Sequence, residues 1–119
     1  MVEYNHGKPV ALIEYKERHA KEPVLLHPTY RALTALADGY SPAPLPFIVA
    51  FYCAEDWWFR IIPVNVRAQE YFGHVAHTPI SEQRFVRGLY LLRKQSLTAA
   101  DERAIAELNN IVPAVEVAA

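Results

Sequence analysis

Two charged side chains, Glu14 and Lys16, end an otherwise apolar stretch near the start of the chain. This stretch, residues 8–16, predicts a β-strand, in which successive side chains point to opposite faces. Leu12, Glu14 and Lys16 therefore share one face. A carboxylate is a good ligand for a divalent cation, and a nearby ammonium stabilises negative charge on an attacking water or a phosphoryl group. The same Glu-x-Lys spacing also occurs at strand ends that are merely solvated.

A second strand and a tight turn come before this one. Residues 2–8 predict a short strand followed by a tight turn, in which Gly7 can take the positive φ of a hairpin turn. With this hairpin, the sequence Ile13-Glu14-Tyr15-Lys16 and the helix and strands predicted after it, residues 1–64 resemble the PD-(D/E)XK nuclease superfamily. That superfamily includes Holliday-junction resolvases and many phage nucleases, and the chain is most similar to its small phage or prophage proteins.

The resemblance implies both a fold and an activity. The implied fold is a restriction-endonuclease-like core, and the implied activity is hydrolysis of DNA phosphodiesters with Mg²⁺ or Mn²⁺. By the same resemblance, Glu14 is the metal ligand, and Glu14 and Lys16 are the catalytic residues. The implied setting is the cytoplasm of a bacterial host or a phage-infected cell.

One departure from the superfamily pattern concerns a second acid, which normally lies on the strand before Glu-x-Lys. A two-residue turn at His6-Gly7 predicts that Asn5 pairs with Lys8. When this pairing is followed along both strands, no residue lies opposite Glu14. Glu3 would share the face of Glu14 at about 13 Å, too far to hold the same ion. The expected acid would fall before Met1, with the leading helix and strand, so that the core would be N-terminally truncated. The other pairs predicted by this turn are Glu3 with Val10 and Met1 with Leu12. Other sources of the acid are a partner chain or Glu17, Asp38, Glu55 or Asp56.

Composition limits the number of domains and the compartment. With 119 residues and 52% hydrophobic content, the chain predicts one domain over residues 1–112 and a frayed tail over 113–119. No apolar run approaches the ~20 residues of a membrane span, and no signal pattern opens the chain, so we expect a cytoplasmic protein without membrane contact. A single cysteine, Cys53, is predicted to lie in the core.

The net charge of −1 predicts that any contact with DNA is local, because there is no overall basic field. One candidate cluster follows the proposed site and comprises Lys16, Arg18 and Lys21. A second, Arg84 and Arg87, lies on one arc of a predicted helix. Solvated loops and helix faces are the alternative for both clusters.

The remaining elements predict an α/β (α+β) fold with a mixed central sheet and flanking helices. An apolar stripe of Leu26, Tyr30, Leu33 and Ala37 predicts a helix over residues 26–38. Strands are predicted near residues 9–16, 47–53 and 57–62, with Trp57 opening the last of them. Asn65 is predicted to cap a helix that ends at Phe72. Two more helices are predicted over residues 78–95 and 98–110.

Three functions remain open from the sequence. The first is a divalent-metal-dependent nuclease, and the second is an inactive module of the same fold that binds nucleic acid or a protein. The third is an unrelated interaction protein in which Glu14 and Lys16 are only solvated. Loss of a leading strand would leave an exposed sheet edge, and we therefore expect a homodimer, which could also supply the missing carboxylate.

Overall fold

The computed structural model describes residues 1–5, 7–41 and 43–95. Within these ranges the chain forms five strands and three α-helices. In chain order they are β1 (Val2–Asn5), β2 (Lys8–Glu17), α1 (Pro28–Asp38), β3 (Phe47–Cys53), β4 (Trp58–Pro63), α2 (Val66–Phe72), β5 (Ile80–Ser81) and α3 (Glu82–Gln95). A single 3₁₀ turn, Gly73–Val75, follows α2.

The strands form one mixed sheet in the order β1-β2-β3-β4-β5. β2 and β3 are parallel, and the other neighbours are antiparallel. Parallel neighbours need a crossover connection, and α1 provides it because it lies between β2 and β3 in the chain. The predicted mixed sheet with flanking helices is thus confirmed.

Helices cover both faces of this sheet. On the face that carries Leu12, Glu14 and Lys16, here called the α1 face, Tyr30 and Ala37 of α1 pack with buried side chains of the central strands. On the opposite face, here called the α3 face, Ile13 packs with α2 and α3. Burial on both faces explains why β3 is an almost continuous apolar run. Cys53 is buried, as predicted.

The register of β1 against β2 corrects one prediction. Asn5 and Lys8 pair as predicted, but an irregularity just after Glu3 shifts the register, so that Glu3 pairs with Ala11. Because a one-residue shift exchanges the faces of a strand, Glu3 lies on the α3 face, opposite to Glu14. The prediction that they share a face is wrong. The other predicted pairs that this shift overturns are Glu3 with Val10 and Met1 with Leu12.

Helix α1 begins two residues later than predicted. The side chain of His27 caps it, with Nδ1 accepting a hydrogen bond from the Thr29 amide at 3.2 Å, and Pro28 occupies the first turn. Leu26 therefore lies before the helix and is 83% exposed, so its predicted place in the apolar stripe is wrong. Tyr30 and Ala37 of that stripe are buried, as predicted.

Two further boundaries differ from prediction because strand pairing competes with local helix and strand signals. Ile80 and Ser81 pair with β4, so α3 starts at Glu82 and not near residue 78. Trp57 lies in the turn before β4, with φ of 48° and an exposed side chain, and not in the strand. The predicted helix over 98–110, the tail over 113–119 and the domain limit at 112 lie outside the described residues.

Within the described ranges, no helix has the length and apolar character that crossing a membrane requires.

Asn65 connects three elements through its side-chain amide. Its Oδ1 accepts hydrogen bonds from the amides of Phe47 and Ala68, both at 2.9 Å. Its Nδ2 donates to Asp38 Oδ1 at 2.9 Å and to the Leu45 carbonyl at 2.8 Å. Asn65 is only 7% exposed, so these groups depend on it rather than on water. The predicted cap of α2 is thus confirmed, and it also holds the end of α1 and the start of β3.

We expect Asn65→Ala to lower the free energy of unfolding by about 3 kcal/mol, because it removes a helix cap and leaves buried backbone groups unpaired. Asn65→Asp keeps the acceptor but loses both donated bonds and places a second carboxylate beside Asp38. The double variant Asn65→Asp/Asp38→Asn restores a donor between the two positions, and we expect it to be more stable than Asn65→Asp. Urea unfolding measures all three; equal stability of Asn65→Ala and the unaltered protein would contradict the connecting role.

Candidate functional site

Glu14 and Lys16 lie near the carboxyl end of β2 and project from the same face, as the alternation predicts. Lys16 Nζ is 3.7 Å from Glu14 Oε1. The Glu14 side chain is 36% exposed and that of Lys16 is 24% exposed, so both are partly shielded but reachable from solvent. The pair is an ion pair on an open strand end, which sets a carboxylate and an ammonium side by side.

Tyr30 of α1 joins this pair. Its side chain is 8% exposed, and its ring centroid lies 6.0 Å from Lys16 Nζ. Hydrogen bonding to the Tyr30 hydroxyl is the main cause that raises the pKa of Lys16, with a smaller contribution from Glu14. Burial is the main cause that raises the pKa of Tyr30, and its hydrogen bond with Glu14 acts in the same direction. The site therefore holds a charged ammonium and a neutral phenol around one carboxylate.

Arg60 adds a second cation to the same face. Lys16 pairs with Phe51 of β3, and Phe51 pairs with Arg60 of β4, so the three side chains form a row across the sheet. The Arg60 guanidinium carbon lies 4.4 Å from the Phe51 ring centroid, and Glu22 of the loop after β2 forms a salt bridge with it. The row thus has a cation at each end of a buried aromatic ring.

Neither Tyr30 nor Arg60 was predicted as a site residue. Tyr30 carries a clear helical signal but no sequence signal for contact with Glu14. Alternation along β4 does place Arg60 on the other face from Phe59 and Ile61. That Arg60 lies in the same row as Lys16 follows only from the order of the strands.

Most of the acids considered as complements to Glu14 interact with other residues. Glu3 is on the α3 face, where it forms a salt bridge with Arg93. Asp38 accepts a hydrogen bond from Asn65 near the start of β3. Lys16 pairs with a residue farther along β3, so Asp38 is not beside it. Glu17 accepts a hydrogen bond from the His19 amide. The last two candidates are Glu55, which lies 3.6 Å from Arg18, and the exposed turn residue Asp56. Across the described ranges, no three His, Cys, Asp or Glu side chains gather into a metal-binding group.

The predicted basic residues do not form one surface. Lys21 is exposed in the loop after β2, and Arg18 nearby is paired with Glu17 and Glu55. Arg84 and Arg87 are exposed on α3, which packs on the face opposite to Glu14. Lys16 and Arg18 therefore lie at the same end of β2 as Glu14, and Lys21 lies in the loop that follows, whereas Arg84 and Arg87 are separated from Glu14 by the sheet.

No family model, curated protein or solved structure matched the chain. The resemblance to PD-(D/E)XK nucleases stays a prediction from the sequence.

We expect Tyr30→Phe to lower the pKa of Lys16, because the Tyr30 hydroxyl is the main group that raises it. Glu14→Gln should lower it too, but by less, because Glu14 contributes less to the shift. NMR titration of the Lys16 side chain measures both changes. Lys21→Gln is the control, since this exposed residue lies outside the trio. A pKa of Lys16 that is the same in Tyr30→Phe as in the unaltered protein would contradict the contact.

Proposed function

We propose that this protein is a divalent-metal-dependent nuclease that hydrolyses DNA phosphodiesters at Glu14 and Lys16. The observation that supports the proposal is the 3.7 Å approach of the Lys16 ammonium to the Glu14 carboxylate on a partly exposed strand end. A metal ligand and a charge-stabilising cation are the two groups that hydrolysis of a phosphodiester needs most.

Glu14 is the residue that would hold Mg²⁺ or Mn²⁺. Such ions are usually held by one or two carboxylates together with water and substrate phosphates, so a single carboxylate meets the lower limit and predicts weak binding. The bound ion supplies Lewis acidity and a water of lowered pKa. The Lys16 ammonium already neutralises part of the Glu14 charge, which weakens binding further.

The chain's own residues would act on the phosphate charge. In hydrolysis, the oxygen of water forms a bond to phosphorus and one P–O ester bond breaks, while negative charge accumulates on the other phosphate oxygens. Lys16 would stabilise this charge, and the Tyr30 hydroxyl, whose interaction raises the pKa of Lys16, would help to keep the lysine charged. Arg60 supplies a second cation on the same face, and Lys21 can contact the DNA backbone beside it.

A second candidate function is binding of nucleic acid without cleavage. It is favoured by one observation: in the part of the chain that the structure describes, no group of three metal-binding side chains surrounds Glu14. In this case, the Glu14–Lys16 pair would only fix Lys16, which with Arg60 would hold backbone phosphates. Cleavage and binding assays on the same variants distinguish the two functions.

We expect plasmid or branched DNA to be cleaved with Mg²⁺ or Mn²⁺ and not with EDTA. Glu14→Gln and Lys16→Gln should each reduce the rate by about a hundredfold or more, the range seen when one charge-stabilising group is lost. The matched control is Glu70→Gln, which neutralises an exposed glutamate paired with Arg67 on the other side of the molecule.

The outcome of the paired assays assigns the function. Cleavage lost in Glu14→Gln with DNA binding retained supports the nuclease. Binding that falls in Lys16→Gln and Arg60→Gln, without cleavage by the unaltered protein, supports the binding module. Cleavage that persists in Glu14→Gln removes this site from the mechanism.

We also propose that a homodimer supplies the second carboxylate. β1 extends along β2 only as far as Ile13, whose backbone N–H and C=O both bond to Met1. Within residues 1–5, 7–41 and 43–95, no residue pairs with positions 14–17 of β2 on the side of β1, so in this part of the chain they form an edge of the sheet next to Glu14. Such an edge accepts a strand from another chain, and an acid on that strand would lie beside Glu14.

If the dimer completes the site, specific cleavage activity should fall on dilution in step with the dimer population. Light scattering and the cleavage assay across one concentration series measure the two quantities together. Constant activity per chain while the dimer dissociates would contradict a shared site.

A further inference from the structure

A cavity of about 250 Å³ lies on the α3 face, between α2, the 3₁₀ turn and α3. Its floor is apolar and is formed by the buried side chains of Phe72, Val75 and Ile80. The volume is below the ~300–1,000 Å³ typical of pockets for drug-sized ligands. A ligand with a single ring therefore matches the space.

Three basic side chains line the same cavity: Arg84 and Arg87 of α3, and His74 of the 3₁₀ turn. Among the described residues that line it, none is acidic. A cavity with an apolar floor and two guanidinium groups suits a ligand that carries an apolar ring and a negative group.

The two guanidinium groups are not committed to partners in the described part of the chain. Four other arginines there form salt bridges with glutamates: Arg18, Arg60, Arg67 and Arg93. Neither Arg84 nor Arg87 has a side-chain hydrogen bond or salt bridge with another described residue, although the Arg84 backbone amide donates to Ser81 Oγ at 3.2 Å. Their charges are therefore available to a ligand.

Helix geometry brings these charges over the floor. Arg84 and Arg87 are three residues apart on α3 and lie on one side of the helix. Gly88 allows α3 to approach the floor closely, because a Cβ at this position would be 3.0 Å from Cε1 of Phe72. The arginines are thus held beside the apolar floor by the packing of α3 on α2.

We propose that this cavity binds a phosphate monoester that carries a planar ring, with the ring on the apolar floor and the phosphate between Arg84 and Arg87. Two guanidinium groups match the two negative charges of a phosphate monoester and can form paired hydrogen bonds with its oxygens. Free mononucleotides and 5′-phosphorylated ends of nucleic acid strands share this chemistry. The cavity lies on the opposite face of the sheet from Glu14, so the proposal does not depend on the proposed nuclease activity.

Phenyl phosphate is the probe, and isothermal titration calorimetry of the full chain measures its binding. We expect phenyl phosphate to bind at least about tenfold more tightly than inorganic phosphate, because the ring is removed from water on the floor. Arg84→Gln and Arg87→Gln should each weaken binding by about tenfold or more, because each removes a charged hydrogen-bond donor. Arg31→Gln is the matched control, because it removes an exposed arginine of α1, on the opposite face of the sheet.

A further variant distinguishes loss of phosphate binding from loss of folding. Leu91 lines the cavity and is exposed, so Leu91→Glu should leave the fold intact, as circular dichroism will show, but repel the phosphate. Equal affinities for phenyl phosphate and inorganic phosphate would overturn the proposal. So would equal losses in Arg31→Gln and Arg87→Gln, or unchanged affinity in Leu91→Glu.

Two additional ligands identify the source of the phosphate. Uridine monophosphate, whose base is a single ring, represents free nucleotides, and a short oligonucleotide with or without a 5′-phosphate represents strand ends. Binding of either that weakens in Arg87→Gln supports the proposal and names the source. An oligonucleotide that binds equally with and without its 5′-phosphate, together with no binding of uridine monophosphate, overturns it.

Discussion

The four hydrogen bonds of the Asn65 amide hold together the parts of the fold that position both candidate sites. Asn65 follows β4 and caps α2 on the α3 face, yet its other bonds reach Asp38 at the end of α1 and Phe47 at the start of β3. An asparagine can make these bonds because one side chain offers two donors and an acceptor oxygen with two lone pairs. Since the position is buried, water cannot substitute, and the α1 helix is anchored against the sheet from its last residue.

That anchor matters for chemistry because Tyr30 lies on the same helix, eight residues or about 12 Å before Asp38. Tyr30 contacts Glu14 and Lys16 and raises the pKa of Lys16. The positive charge of Lys16 therefore has two opposing effects. It neutralises Glu14, which weakens the affinity of that carboxylate for a cation, and it keeps a full positive charge where a phosphate would approach. Under the proposed nuclease function, a second carboxylate would shift the local charge from net neutral to negative and so strengthen cation binding.

The sheet separates the two regions of positive charge. Lys16 and Arg60 lie on the α1 face, whereas Arg84 and Arg87 lie on α3 beyond the opposite face. Stacked layers are about 10 Å apart, so one phosphate cannot contact both pairs. Because the net charge of the chain is −1, its positive charge is concentrated in local pairs such as these and does not form a broad basic surface. Arg60 is balanced by Glu22, and the two arginines of α3 face a cavity that no acidic side chain of the described residues lines.

The sequence by itself determined the local elements, because their signals are local. Period-two alternation located β2 and placed Glu14 and Lys16 on one face, the apolar run located β3 at its observed bounds, and Asn65 marked the start of α2. Boundaries failed where a distant partner competed, as when pairing with β4 made residues 80 and 81 a strand.

Only the tertiary structure decided which residues meet. The irregularity after Glu3 turned this acid away from Glu14 and towards Arg93, which lies far along the chain. The order of the strands put Arg60 in the row of Lys16, and the packing of α1 brought Tyr30 to the same place. Strand order, register and helix packing follow from which apolar faces are buried together across the whole chain, and a short window of sequence does not contain that information.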